Sequence, residues 1–315
     1  MKDSDEFSIL KKVFKNLGNQ YFDSSNLLIG PGDDAGLFKT KKELIFSTDS
    51  SVANVHFPKD LEPKLVAFRA CAVAASDIAA CGGKLKWLSI ALTANSKKKK
   101  WVEEFSKGIK EFSDNYKVPI IGGDLTLGKE ISVSIGACGE IDKKYFMRRN
   151  GGKEKDLIFV TGNLGEASIG LNLLKQKKQN LKYVEKICLK RFLKPEINFL
   201  FSQDLSRIAN SCIDISDGLM ADLNHICEQS NLKAEINLDN MPLIGNAIKA
   251  ITWGDDYQLC FTISSSKIKK LTEISKKHNV KITNIGKLTK GKGISVLSKG
   301  KKINIKKAGY NHFNG

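Results

Sequence analysis

The sequence predicts an α/β chain, layered in the α+β manner and built as two domains. Three observations carry this. Short apolar runs suited to buried strands alternate with amphipathic or Ala-rich helical stretches. The alternation restarts after a polar, Gly-bearing segment, Arg148-Arg149-Asn150-Gly151-Gly152-Lys153. The length of 315 residues, 41% of them hydrophobic, suits two domains at roughly 150 residues each. The boundary is placed just before that segment, giving domains of residues 1–146 and 147–315.

The elements follow in order. Ile9, Leu10, Val13, Phe14 and Leu17 share one face of a helix over residues 7–19. Gly30-Pro31-Gly32-Asp33-Asp34 is a turn, and residues 44–48 are a strand leading to Asp49. Residues 63–81 form a long helix, Ala-rich for close packing and stopped by Gly82-Gly83. A buried strand at 87–93 and an amphipathic helix at 101–116 come next. The strand at 118–121 ends in Gly122-Gly123-Asp124, and another spans 131–140. The second domain opens with a strand at 157–161, ends it at Gly162-Asn163-Leu164-Gly165, and continues as a helix to about residue 175. A Lys/Gln-rich connection covers 175–182, and strand-helix alternation runs on to the tail Gly309-Tyr310-Asn311-His312-Phe313.

The formal charge is +17, from 51 Lys+Arg against 34 Asp+Glu. Such a balance first suggests nucleic acid or an anionic surface. Only five of those cations are Arg, however: Arg69, Arg148, Arg149, Arg191 and Arg207. Lys is a flexible, strongly hydrated point charge, whereas Arg suits bidentate or stacked recognition. The excess therefore reads as solvated surface, and nucleic acid is not expected as a partner. No membrane is expected either. No run approaches the roughly 18 apolar residues of a spanning helix, and Met1–Phe7 lacks the apolar core of a secretory signal. Seven Cys without a CxxC pair read as small buried residues of a reduced, cytoplasmic protein.

The informative charge is the minority one. Asp recurs, often beside Gly, in Gly32-Asp33-Asp34, Ser47-Thr48-Asp49, Ser76-Asp77, Gly123-Asp124, Asp214-Ile215-Ser216-Asp217-Gly218 and Gly254-Asp255-Asp256. Most follow an apolar run that leaves the Asp at a strand end, where ligands of α/β sheets bind; Asp77 lies within the Ala-rich helix. Each Asp alone reads as a turn or cap. Six such sites together point to a hard cation, because clustered carboxylates repel one another without one. Mg²⁺ typically joins a few carboxylates to substrate phosphates, which suits phosphoryl transfer. Neither GxxxxGK[ST] nor a protein-kinase signature is present, so ATP must be held another way.

These motifs, in this order, resemble the thiamine-monophosphate kinases. That family belongs to the superfamily of aminoimidazole ribonucleotide synthetase and selenophosphate synthetase. The matching segments are Gly-Pro-Gly-Asp-Asp-Ala (30–35), Ser-Thr-Asp-Ser-Ser-Val (47–52) with His56-Phe57, and Ser76-Asp77-Ile78-Ala79-Ala80. They continue with Ile121-Gly122-Gly123-Asp124, Ile213 to Leu219, and Gly254-Asp255-Asp256-Tyr257-Gln258-Leu259. The likeness runs from Phe7 to Phe313.

The resemblance implies ATP-dependent phosphorylation of thiamine monophosphate to thiamine diphosphate, the last step of thiamine diphosphate biosynthesis, with several Mg²⁺ ions. It implies a homodimer formed through the N-terminal sheet. By the same resemblance Asp34, Ser47, Thr48, Asp49, Asp77, Asp124, Asp214 and Asp217 form the metal shell. Gly123, Asp124, Arg149 and Ser216 contact ATP. His56, Asp255 and a C-terminal aromatic, Phe313 ahead of Tyr310, contact thiamine monophosphate. No covalent nucleophile or general base is expected, because the acceptor is already an ionised phosphate oxygen.

Elementary chemistry agrees. Asp, Ser and Thr oxygens suit a hard cation, the Arg149 fork suits phosphate, and a thiazolium cation favours an aromatic face beside a carboxylate. Taken alone, His56 reads as a capping residue, Arg149 as a loop charge and Phe313 as a packed tail residue. The chain departs from the family in carrying Asp255 and Gln258 where Glu is usual, Ala74 where Asn is usual, and Lys194-Pro195-Glu196-Ile197 for an Arg-Pro-x-Pro-Arg stretch. Two alternatives stand beside this reading. One is another ATP-using member of the superfamily; the absence of Cys before Cys71 counts against a selenophosphate synthetase. The other is a basic nucleic-acid-binding protein.

Overall fold

The computed structural model describes residue 14 and residues 16–31, 35–94, 99–305 and 309–310. Asp34, Phe313 and most of the first expected helix lie outside the described residues. The chain divides into two compact units, Met1–Ile78 with Lys84–Lys143, and Ala79–Gly83 with Lys144–Gly315.

In the first unit, α1 (Phe22–Ser25) precedes a short antiparallel pair, β1 (Leu27–Ile29) and β2 (Leu37–Phe38). The main sheet has four strands: β3 (Glu43–Val52), β4 (Lys84–Ala94), β5 (Ile120–Leu127) and β6 (Ser132–Ile141). Their order is β3-β6-β4-β5. Only the β4–β5 pair is parallel, and its crossover is the helix α3 (Lys99–Tyr116). That helix buries Val102, Phe105, Ile109 and Phe112, the three- and four-residue spacing of one helical face.

The helix α2 (Pro63–Ala80) follows β3. Its Ala67, Ala70, Ala72, Ala74 and Ala75 are buried, and small side chains let other backbones come close. A Cβ on Gly108 of α3 would meet Lys64 O at 2.0 Å, and one on Gly139 of β6 would meet Ile78 Cγ2 at 2.6 Å. Ala74 is fully buried, so an amide there would need a partner inside the core.

Two strands run further than expected. β5 continues through Gly122-Gly123-Asp124 to Leu127, and β3 continues past Asp49 to Val52. Both Asp residues therefore lie within strands, not at their ends. Gly and Asp depress strand propensity in isolation, but pairing with a neighbour overrides it. Gly123 pairs with Ile90, and a Cβ on it would meet Ile90 O at 2.0 Å, so only Gly permits this pairing.

The second unit contains a seven-stranded sheet. Its strands are β7 (Leu157–Thr161), β8 (Ser211–Asp214), β9 (Lys233–Asn237), β10 (Leu259–Ile263), β11 (Ile282–Thr289), β12 (Gly293–Ser298) and β13 (Lys301–Ile303). The order is β13-β12-β9-β11-β7-β10-β8, and only β9–β12 is parallel. The helices are α4 (Glu166–Lys175), α5 (Tyr183–Leu193), α6 (Phe199–Leu205), α7 (Leu219–Ser230), α8 (Ala247–Thr252) and α9 (Ile268–His278).

The sheet is covered on both faces. Ile158, Val160, Ile213 and Cys260 pack with Leu219, Leu223 and Ile226 of α7. Phe159, Cys212, Leu259, Phe261 and Ile263 pack with Phe201 and Leu205 of α6 and Leu271 and Ile274 of α9. The period-2 alternation of strand side chains thus feeds two separate cores. It explains why β8 and β10 are buried at every position.

Phe261 is fully buried, with ring centroids 5.8 Å from Phe159 and 6.4 Å from Phe201. Phe261→Ala is expected to cost about 3–5 kcal/mol, read as a lower urea midpoint. A change below about 1 kcal/mol would show that this face of the sheet is not a packed core.

Candidate active site

The first group of expected residues stands on β3 and α2. Along β3, Ile45, Ser47, Asp49 and Ser51 lie on the more buried face, while Leu44, Phe46, Thr48 and Ser50 are exposed. The Ser47 hydroxyl donates to Asp77 Oδ2, which joins β3 to α2. Burial, and then the Asp77 carboxylate, push the Asp49 carboxyl up to about 6. Ser47, Asp49 and Asp77 therefore form one group with the character of a cation site: acceptor oxygens gathered where a lone negative charge is disfavoured.

Thr48 and Asp124 are not part of that group. Thr48 points to the exposed face of β3, opposite to Asp49. Asp124 pairs with Ala91, Ala91 with Ser134 and Ser134 with Ser50, so it too lies on the outer face. Thr126, two residues on, donates to Asp124 Oδ2 at 2.9 Å, as residues on one face of a strand do. The sheet order sets β3 and β5 at opposite edges, three strand spacings or about 14 Å apart. Among the described residues, no three His, Cys, Asp or Glu side chains stand close enough to hold one metal ion. His56 is in the turn after β3. Its Nδ1 accepts from Val52 N–H at 3.0 Å, which leaves Nε2 to carry the proton of the neutral ring.

The second group lies in the other unit. Asp214 ends β8 and is buried. The following loop, Ile215–Gly218, is clamped from two sides. Ile215 N–H donates to Gln258 O at 2.7 Å, Tyr257 N–H to Ile215 O at 2.9 Å, and Asp255 N–H to Ser216 O at 2.8 Å. A Cβ on Gly254 would meet Ser216 O at 1.8 Å, so this turn needs Gly to approach. Asp255 and Tyr257 both have positive φ, 73° and 47°, a region costly for such side chains. The Tyr257 hydroxyl donates to Asp255 Oδ1 at 3.1 Å, which fixes one carboxylate oxygen. Tyr310 N–H donates to Asp217 O at 3.0 Å, so the described part of the C-terminal tail lies against this loop.

Arg149 stands apart from Ser216 within this unit. Its carbonyl accepts from Ser230 Oγ at 3.2 Å, and Arg148 O accepts from Cys212 N–H at 3.0 Å. Both contacts are at the start of β8 and the end of α7. Ser216 and Asp217 lie at the other ends of those two elements.

Three residues here have no role in the sequence reading: Asp222 is absent from it, and Asp256 and Tyr257 stand in it only as members of their motif. Asp222, in the first turn of α7, accepts from the backbone N–H of Ser216, Asp217 and Gly218, each at 3.1 Å. Burial and the charges of Asp214 and Asp217 push its carboxyl up to about 8, against the pull of those N–H groups. Asp256 accepts from Gly165 N–H at 2.8 Å and Ala167 N–H at 3.3 Å, at the start of α4; burial pushes it up to about 8 as well. Tyr257 is the third. The signal for Asp222 was present, an acid in the first turn of a helix, but it blended with the two Asp residues before it.

The carboxyl of Asp49 moves from an ordinary value of 3.8 to about 6 on folding. Between those values the folded chain binds the extra proton, so stability falls as pH rises through that window. In metal-free protein near pH 7, Asp49→Asn is expected to raise stability by about 1–3 kcal/mol. The gain should vanish below about pH 4, as thermal melts across pH would record. Equal stability of the two proteins at every pH would refute the burial of charge at Asp49.

Comparison with known proteins agrees with this layout. Residues 32–141 match the family model for AIR synthase related protein, N-terminal domain, and residues 153–299 match the corresponding C-terminal domain. The thiamine-monophosphate kinase of Buchnera aphidicola subsp. Schizaphis graminum is 42% identical over 98% of each chain. The crystal structure of thiamine-monophosphate kinase from Stenotrophomonas maltophilia superposes with a TM-score of 0.83 at 29% identity, covering 94% of this chain and 97% of that one. AaThiL complexed with AMPPCP and TMP superposes with a TM-score of 0.76 at 30% identity, covering 99% and 98%. The chain belongs to the AIR synthase related family, among its thiamine-monophosphate kinases.

Proposed function

We propose that this chain transfers the γ-phosphoryl group of ATP to thiamine monophosphate, giving thiamine diphosphate. The observation that carries this is the half-buried Ser47–Asp49–Asp77 group in a chain otherwise dominated by Lys. Its oxygens fit a hard cation such as Mg²⁺, and Asp214 and Asp217 offer a second pair of carboxylates. Bound there, Mg²⁺ would offset the repulsion between two polyanionic substrates. Relatives over the full length carry the kinase name, and one was solved with an ATP analogue and TMP.

The roles of the side chains follow. Gly123 lets β5 pair closely with β4, and Ser216 offers a donor to ATP phosphates; Arg149, at the other end of α7, is not placed with it. His56 offers Nε2–H to the substrate phosphate. Asp255, held by Tyr257, faces the thiazolium cation, and Phe313 offers it a ring. The acceptor oxygen is ionised near neutral pH, so no residue needs to remove a proton from it. Among the described residues no helix is long and apolar enough to cross a membrane, in keeping with a cytoplasmic enzyme.

The sheet geometry supports a homodimer. Asp49 and Asp124 sit at opposite edges, too far apart for one ion, and Phe46 is 67% exposed on the outer face. A second copy laid against that face would cover Phe46 together with the exposed Thr48, Ser50 and Asp124.

ATP turnover is expected with thiamine monophosphate and Mg²⁺, and not with unphosphorylated thiamine or aminoimidazole precursors. Turnover on the latter alone would overturn the proposal. Asp49→Asn and Asp124→Asn are each expected to lower kcat about a hundredfold or more with the fold intact.

A further inference from the structure

Asp222 has a geometry that packing alone does not require. Three successive backbone N–H groups, of Ser216, Asp217 and Gly218, converge on its Oδ2 at 3.1 Å each, and the side chain is buried. Such a run of N–H groups forms a concavity suited to an anion. This one opens at the start of α7, where the helix dipole adds to the same preference. Left open, it would be a place for a phosphate. Here the chain's own carboxylate fills it and uses all three donors. On the other side, the Gly254–Gln258 turn pins the same loop through Ile215 and Ser216.

We infer that Asp222 is the positioning residue of the Asp214–Asp217 pair. It fixes the backbone between the two carboxylates and so fixes their spacing. It also withdraws the three amides from phosphate, so that phosphate joins this loop through a divalent cation and not through the backbone. The inference rests on the reading of Asp214 and Asp217 as cation-bearing groups. Asp222 itself touches neither substrate nor ion.

Amide hydrogen exchange on metal-free protein tests the latch, and calorimetry with Mg²⁺ and a non-hydrolysable ATP analogue tests its consequence. In the wild type, the amides of residues 216–218 should be protected although they lie in a loop. In Asp222→Ala those three should lose protection while β10 keeps its own, and Mg²⁺ should bind about tenfold or more weakly, as it should in Asp214→Asn. Should Asp222→Ala not fold, Asp222→Glu, with the same charge on a longer arm, is expected to show the same pattern. Unprotected wild-type amides would overturn the inference. So would wild-type Mg²⁺ affinity in the Asp222 variant when Asp214→Asn has lost it. Wild-type affinity in Asp214→Asn would instead overturn the cation reading of the loop, and with it the role given to Asp222, even with the latch intact.

Discussion

Consecutive side chains of a pleated strand leave it on opposite faces, and the candidate site is organised by that rule. It separates Thr48 from Asp49 although they adjoin in sequence. It gathers Ser47 and Asp49 toward α2, where Asp77 meets them. It places Asp124 in the outer row with Ala91, Ser134 and Ser50. The sheet order then adds distance to direction, because β3 and β5 are the two edges. A set of acids that looks like one shell along the sequence is thus distributed over two faces and two edges.

The electrostatics divide the same way. The abundant charge is superficial: Lys107–Glu104, Lys110–Asp114 and Lys270–Glu273 are helical neighbours on the surface, and such pairs contribute little. The scarce charge is where burial acts on it. Asp49, Asp222 and Asp256 are all pushed upward, and in each case desolvation is the leading cause. Asp222 and Asp256 meet that cost by accepting backbone N–H groups, which stitch loop to helix. At Asp49 both causes, burial and the Asp77 carboxylate, act upward, so that group reads as a site and the other two as scaffold.

Much of this was legible in the sequence. The Ala-rich run before Gly82-Gly83 is α2, the amphipathic stretch is α3, and the apolar run at 157–161 is β7, because each is set by local pattern. Strand lengths were not legible: Gly122 to Asp124 reads as an ending, and only pairing with β4 carries the strand onward. Nor was the separation of Arg149 from Ser216, since two residues named for one ligand carry no mark of lying at opposite ends of α7. His56 accepts from Val52 N–H as a capping residue does, and that bond also sets its tautomer. Asp222 escaped notice because its partners are backbone amides, which have no letter in the sequence.

The amide at Gln258 has a consequence of its own. Thr161 Oγ1 donates to Gln258 Oε1 at 2.7 Å and accepts from Leu259 N–H at 2.9 Å, closing the seam between β7 and β10. A Glu in that place would stand two residues from the buried Asp256. With Gln, that stretch of interior holds one ionisable group fewer. The seam keeps its hydrogen bond at any acidity the cell meets, and it adds nothing to the proton uptake on folding at Asp256.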